Sequence, residues 1–143
     1  MKLCLDISTE FSTLEFIMKN LDTNSLKQAL ASEDIILFGY LFGSHVTGKA
    51  TSLSDVDVAI YPARKLSADD RLGIIQQLGK KTKLDNLDVT FLDRLENLYL
   101  LNAILDHGVV LVDNDEDQRD IFEISARHRF FDFRYQRKLY MGV

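Results

Sequence analysis

The chain of 143 residues has one cysteine, Cys4, one proline, Pro62, and no tryptophan. A lone cysteine can form no disulfide within the chain and cannot assemble a cysteine-based zinc site, which suits a reducing compartment. Nothing approaches the run of ~20 apolar residues that a membrane-spanning helix needs. Asp6 and Glu10 interrupt the N-terminus where a secretory leader requires an unbroken apolar stretch. The expected location is therefore the cytoplasm, away from membranes. Positive charge is also scarce: 17 Lys and Arg stand against 22 Asp and Glu, a net charge of −5. Coating nucleic acid non-specifically rests on cations that neutralise phosphates, so direct nucleic-acid binding is not expected. What is present is a globular balance, 46% hydrophobic and 27% charged, without repeats or low-complexity tracts. The length suits one domain over residues 1–143, with one site.

Periodicity supplies the elements. Residues 9–20 space Phe11, Leu14, Phe16, Ile17 and Leu21 along one helical face, and Asn24-Ser25 offers a cap for a second short helix through Ala31. Ile35 to Phe42 is a short apolar run, rich in β-branched and aromatic residues and stopped by Gly43, which reads as a buried strand. Val56, Val58 and Ile60 alternate with Asp55, Asp57 and Ala59 in a second strand that Pro62 ends. Ser67 caps a helix through Lys81 with acids in its first turn. Leu87 to Leu92 predicts a third strand, Leu95 to Asp106 a helix closed by Gly108 at positive φ, and Val109 to Val112 a fourth strand. The C-terminal helix spans residues 115–141, with Ile121, Ile124, Phe131, Tyr135 and Leu139 expected inward. The fold class is α/β (α+β): a small mixed sheet of about four strands with helices mainly on one face.

The chemistry starts at Gly43-Ser44, where the chain leaves a strand, turns on glycine, and presents a hydroxyl and backbone N–H groups at a helix start. Glycine lets the backbone approach phosphate oxygens, and a helix N-terminus favours negative charge. Alone, such a turn is equally a plain strand-to-helix connection. Asp55 and Asp57, two apart on one strand, point to one face. As an isolated pair they also read as solvated outward positions. Asp88 adds the decisive third member, because Asp88 and Thr90 share one face of their strand while Leu87, Val89 and Phe91 share the other. If the two strands pair with their apolar faces together, the three carboxylates converge. Such a cluster is costly without cations, and hard oxygen donors suit magnesium. Two ions would clamp an in-line phosphoryl displacement. Asp85 and Asp93 flank the same strand but lie at odd spacing from Asp88, so parity excludes both unless a bulge intervenes.

Gly43-Ser44, a ten-residue gap, and Ser54-Asp55-Val56-Asp57 resemble the active-site motif of the DNA polymerase β-type nucleotidyltransferases. In its short length the chain is similar to the minimal nucleotidyltransferases, MNT, which often pair with a HEPN protein as antitoxin and toxin. The resemblance covers Ile35 to Asp113 best and extends to the aromatic and basic tail from Asp132 to Tyr140. It implies that Gly43 and Ser44 bind nucleotide phosphates; Ser54, just before the acidic pair, and Lys49 are further candidates for contact with the nucleotide. It further implies that Asp55, Asp57 and Asp88 form the catalytic metal site, with ATP as donor. The acceptor it implies is a tyrosine of a HEPN ribonuclease toxin, silenced by AMP transfer within a hetero-oligomer. One departure stands out: many relatives carry Arg before the second glycine of the turn, and this chain has Thr47 before Gly48. Lys49 and His45 are close enough in sequence to compensate, although a lysine in a turn is also simply solvated. Two alternatives share these residues: an antitoxin that acts by occlusion with a vestigial nucleotide site, and transfer to a small molecule. Arg127, Arg129, Arg134, Arg137 and Lys138 make the tail basic: Arg134, Arg137 and Lys138 complement a helix dipole, or the interleaved Phe130, Phe131, Phe133, Tyr135 and Tyr140 form a surface for a partner or for RNA.

Overall fold

The computed structural model describes residues 23–51 and 54–142; the helix expected over residues 9–20 lies outside them. The elements, in chain order, are α1 (Thr23–Ala31), β1 (Ile36–Phe42), α2 (Ser44–Thr47), β2 (Val56–Pro62), α3 (Ala68–Thr82), β3 (Leu87–Phe91), α4 (Leu98–His107), β4 (Val109–Asp113) and α5 (Glu116–Met141). The sheet order is β3-β2-β1-β4. β1 pairs antiparallel with β2 and with β4, whereas β2 and β3 run parallel, joined by α3 as the crossover that parallel strands require. Local chemistry sets the helix ends. Ser67 caps α3 reciprocally with Asp70. α4 starts three residues later than periodicity suggested because the Asn97 side chain accepts the N–H groups of Tyr99 and Leu100.

Alternation along the strands sends apolar residues to both faces, and the flanking helices divide more evenly than the sequence reading had them. One face buries Val56, Val58, Ile60, Ile36 and Leu41 under Leu26 and Leu30 of α1 and Ile74 and Leu78 of α3. The opposite face buries Phe38, Tyr40 and Ala59 with Leu101 and Ile104 of α4 and Ala126 of α5. Phe38 stacks on Tyr61 at 4.9 Å, and Phe122 tilts onto both rings. Burying each of these large side chains contributes about 1.5–3 kcal/mol. Asp57 and Asp88 belong to this second face by strand parity, toward the end where β1 leaves for α2.

Two expectations are corrected. Ile121, Ile124, Phe131, Tyr135 and Leu139 are not inward: each is between 58% and 68% exposed. α5 carries a second apolar stripe, and the rotation that seats Phe122 and Ala126 is fixed by polar contacts. Tyr40 Oη donates to Glu123 Oε1 at 2.6 Å, Arg119 reaches Asp113 at 2.8 Å and Glu123 at 3.0 Å, and Arg127 reaches Asp106 at 2.7 Å. Burial and the neighbouring Glu123 carboxylate push the Tyr40 hydroxyl far above the usual tyrosine range, so it stays a donor. The second correction is Gly108, which ends α4 at φ −68° instead of a positive value. Its requirement for glycine is spatial: a Cβ there would collide with the Ile104 carbonyl oxygen, to which the Gly108 N–H donates at 2.7 Å.

Candidate active site

The sheet register brings the carboxylates together. In the parallel ladder Val56 faces Leu87, Asp57 faces Asp88 and Val58 faces Val89, so Asp57 and Asp88 are direct neighbours on one face. Across the antiparallel ladder Asp57 stands opposite Phe42, the last residue of β1, and the chain then turns at Gly43. Asp55 sits just ahead of β2 and is exposed, as is Asp88, while Asp57 is half-buried. Burial first, then the charges of Asp88 and Asp55, hold the Asp57 carboxyl above its ordinary value, and His45 opposes them in part.

The turn leans directly on this group. Gly43 adopts φ 80°, ψ −151°, a conformation that side chains with a Cβ avoid, and its Cα faces the Asp57 carboxylate. Ser44 opens α2, whose four residues close with the Val46 and Thr47 N–H groups on the Gly43 carbonyl. The structure places the remaining sequence candidates less centrally. Ser54 turns its hydroxyl to its own loop, accepting from the Thr51 N–H at 2.8 Å. Lys49 is exposed, and Thr47 is exposed with its hydroxyl 3.5 Å from the Ser44 carbonyl. Asp93 stands outside the cluster, gripped by the Arg71 guanidinium through contacts of 3.1 and 2.8 Å, with that guanidinium 4.7 Å from the Phe91 ring centre.

Asn86, which sequence reasoning passed over, and His45, which it weighed only as a partner for phosphate, hold the loop. His45 is buried, with Nε2 3.5 Å from the Ser54 carbonyl. Asn86 donates from Nδ2 to the same carbonyl at 2.6 Å, and its own carbonyl accepts the Val56 N–H at 2.9 Å. Asn86 thus ties the segment carrying Asp55 and Asp57 to the strand carrying Asp88. Asn86→Ala is expected to slow nucleotidyl transfer about tenfold, with about 1 kcal/mol lost in urea unfolding. Asn86→Asp, which cannot donate, should behave alike. Nothing in the sequence marks Asn86, since its value depends on a contact 32 residues away.

Could these residues hold magnesium? Among the described residues no three His, Cys, Asp or Glu side chains form a closed cage around a common point. Magnesium does not need one, because it keeps several waters and takes few carboxylates alongside substrate phosphates. Burial first, and then the charges of Asp88 and Asp55, disfavour the ionised Asp57 carboxylate, and His45 offsets them only in part. Hard oxygen donors in an uncompensated field fit a divalent cation. Two cavities lie away from the cluster: about 790 Å³ beside Asp93, Arg94 and Arg129, and about 540 Å³ beside Tyr61, Arg64 and Asp115. The carboxylates, two exposed and one half-buried, form an open shelf.

Curated proteins yield no match. A chain of a toxin–antitoxin complex with AMP-PNP superposes with a TM-score of 0.70 at 20% identity, covering 85% of this chain and 97% of that one. A chain from a tri-AMPylated Shewanella oneidensis HEPN toxin in complex with MNT antitoxin gives a TM-score of 0.63 at 19% identity, covering 88% and 96%. A chain of a MntA–HepT toxin–antitoxin structure gives 0.62 at 19%, covering 84% and 93%. At such identities these likenesses show the fold. The family model described as polymerase beta, nucleotidyltransferase matches residues 24–117, more than half of the chain, and spans both the Gly43 turn and all three carboxylates. By that match, and by the carboxylate-lined shelf that it encloses, the chain belongs to the polymerase β nucleotidyltransferase family.

Proposed function

We infer that this chain transfers AMP from ATP to a hydroxyl, that the acceptor is a tyrosine of a cognate HEPN ribonuclease toxin, and that the transfer neutralises the toxin. The observation that carries the reading is the registered pair Asp57 and Asp88 beneath the Gly43-Ser44 turn. It is supported by the similar folds found in complexes with AMP-PNP and with a tri-AMPylated HEPN toxin. In the step proposed, the acceptor oxygen bonds to the α-phosphorus as the α–β phosphoanhydride bond breaks, pyrophosphate leaves, and the hydroxyl proton passes to Asp88 or to water. Asp55, Asp57 and Asp88 would hold two magnesium ions. When bound, the ions supply charge neutralisation for the pyrophosphate and acidify the attacking hydroxyl. Gly43 and Ser44 receive the triphosphate and Lys49 adds positive charge to it; Ser54 acts through the Thr51 loop that it braces. Among the described residues no helix is long and apolar enough to cross a membrane, and we place the protein in the cytoplasm, without direct nucleic-acid binding.

Mixing the purified chain with ATP, magnesium and its cognate HEPN protein should raise the partner's intact mass by whole AMP units. Chelating the metal should abolish the increment. A partner whose mass never changes, although it binds and is inhibited, sinks the transfer reading. That result would favour a second one, inhibition by occlusion, for which the uncharged Thr47 of the phosphate turn speaks.

A further inference from the structure

The exposed face of α5 is a seam. Ile121, Ile124, His128, Phe131 and Tyr135 follow each other at alternating spacings of three and four, and Leu139 extends the line. All six are exposed, on the side away from Phe122 and Ala126, which face the sheet. Alternate steps of three and four over four helical turns are the pattern by which two helices pack along their length. The seam is flanked asymmetrically. Glu116, Asp117 and Asp120 lie at its head, and Arg134 and Lys138 at its foot. Asp120 and Arg134 are both exposed and occupy the same flanking position two heptads apart. The ion pairs of α5 within the chain use Arg119 and Arg127; among the described residues neither Asp120 nor Arg134 closes one.

An acidic head and a basic foot on one helix complement a second copy of that helix running the other way. We propose that α5 is a homodimerisation element, pairing antiparallel with α5 of a second copy of this chain. Centred near Arg127, the pairing sets Ile121 against Phe131 of the second copy and Ile124 against His128. It also joins Asp120 to Arg134 twice, once at each end. A parallel pair would gather both acidic heads at one end and both basic feet at the other, whereas the antiparallel pair sets each head beside a foot, so charge selects the antiparallel form. The face is independent of the nucleotidyl-transfer reading, since Gly43, Asp57 and Asp88 contribute nothing to it.

Sedimentation equilibrium of the full chain should give twice the monomer mass, and Phe131→Glu should give the monomer with an unchanged far-ultraviolet spectrum. Asp120→Arg is expected to weaken association about tenfold. Adding Arg134→Asp should restore it, as only a self-complementary antiparallel pair allows. Spin labels on a Cys4→Ser background distinguish direction: His128→Cys should report a short separation, and Gln136→Cys one of roughly 27 Å, from a 1.5 Å rise per residue on each side of the centre. Short separations at both sites overturn the proposal. So does a wild-type chain that stays monomeric, a dimer that survives Phe131→Glu, or a double charge swap that fails to restore association. Loss of toxin binding in Phe131→Glu with no change in the mass of the free chain would assign the seam to the toxin and equally overturn it.

Discussion

Replacing Asp57 by Asn is expected to lower nucleotidyl transfer by at least about a thousandfold while making the metal-free protein more resistant to heat. The two effects share one cause. Asp57 stands in register with Asp88, close behind Asp55, and half-buried, and together these hold its carboxyl above the ordinary value of 3.8. A carboxyl raised in the folded state favours folding fully below its unfolded value, and that contribution is lost as pH rises through the folded value. At neutral pH the ionised group is therefore a net cost to the fold, which an amide of the same shape removes. In chelator at neutral pH, the melting temperature of Asp57→Asn should exceed that of the wild type by a few degrees. The gap should shrink as pH falls toward the ordinary carboxylate range. Added magnesium should raise the wild-type melting temperature, since a ligand that binds only the folded state stabilises it by mass action, and should leave Asp57→Asn nearly unmoved. An Asp57→Asn protein that melts below the wild type in chelator would show that the carboxylate is satisfied by the chain itself. The case for a cation at this shelf would then lose its support.

How much of this arrangement was written in local sequence differs from element to element. The alternation of Val56, Val58 and Ile60 with Asp55, Asp57 and Ala59 states a strand face outright, because a side-chain period of two has no competing interpretation over that length. Asp88 followed from parity alone, and the ladder pairs it with Asp57. Parity also set aside Asp93, and the structure supplies the physical reason in its two-pronged contact with Arg71. Periodicity was silent where two solutions were equally periodic. α5 has one apolar stripe through Phe122 and Ala126 and another through Ile121, Ile124 and Phe131. The choice between them rests on Tyr40, Glu123, Arg119 and Asp113, which meet only after the sheet has formed. Asn86 and the loop contact of His45 were illegible for the same reason: both act on the Ser54 carbonyl, a backbone atom that carries no mark in the sequence. Gly108 shows a subtler limit. A glycine at a helix end suggests a left-handed cap, yet here the residue is small because the chain passes against the Ile104 carbonyl.

Gly43→Ala should separate what the turn does for the fold from what it does for the reaction. A Cβ at this position would fall inside contact distance of Asp57 Oδ2, and would lie 3.2 Å from Cγ and 3.4 Å from Cβ of the same side chain. The backbone at φ 80°, ψ −151° adds strain of its own, about 1–3 kcal/mol for a residue with a Cβ. The Asp57 carboxylate is the freer of the two parties, so it is expected to rotate away and leave the strands in place. Stability should then fall by the backbone strain and by the cost of displacing the carboxylate, whereas transfer should fall at least about a hundredfold, because the displaced carboxylate no longer stands beside Asp88. A double-mutant cycle with Asp57→Ala tests this division. Without the carboxylate the nearest remaining atom is the Asp57-position Cβ at ordinary contact distance, so the part of the unfolding cost due to collision should vanish and the backbone part should persist. If the full cost of Gly43→Ala survives in the Asp57→Ala background, the glycine serves the backbone conformation alone. The close approach of the turn to the carboxylate would then be a consequence of the fold and not a constraint upon it.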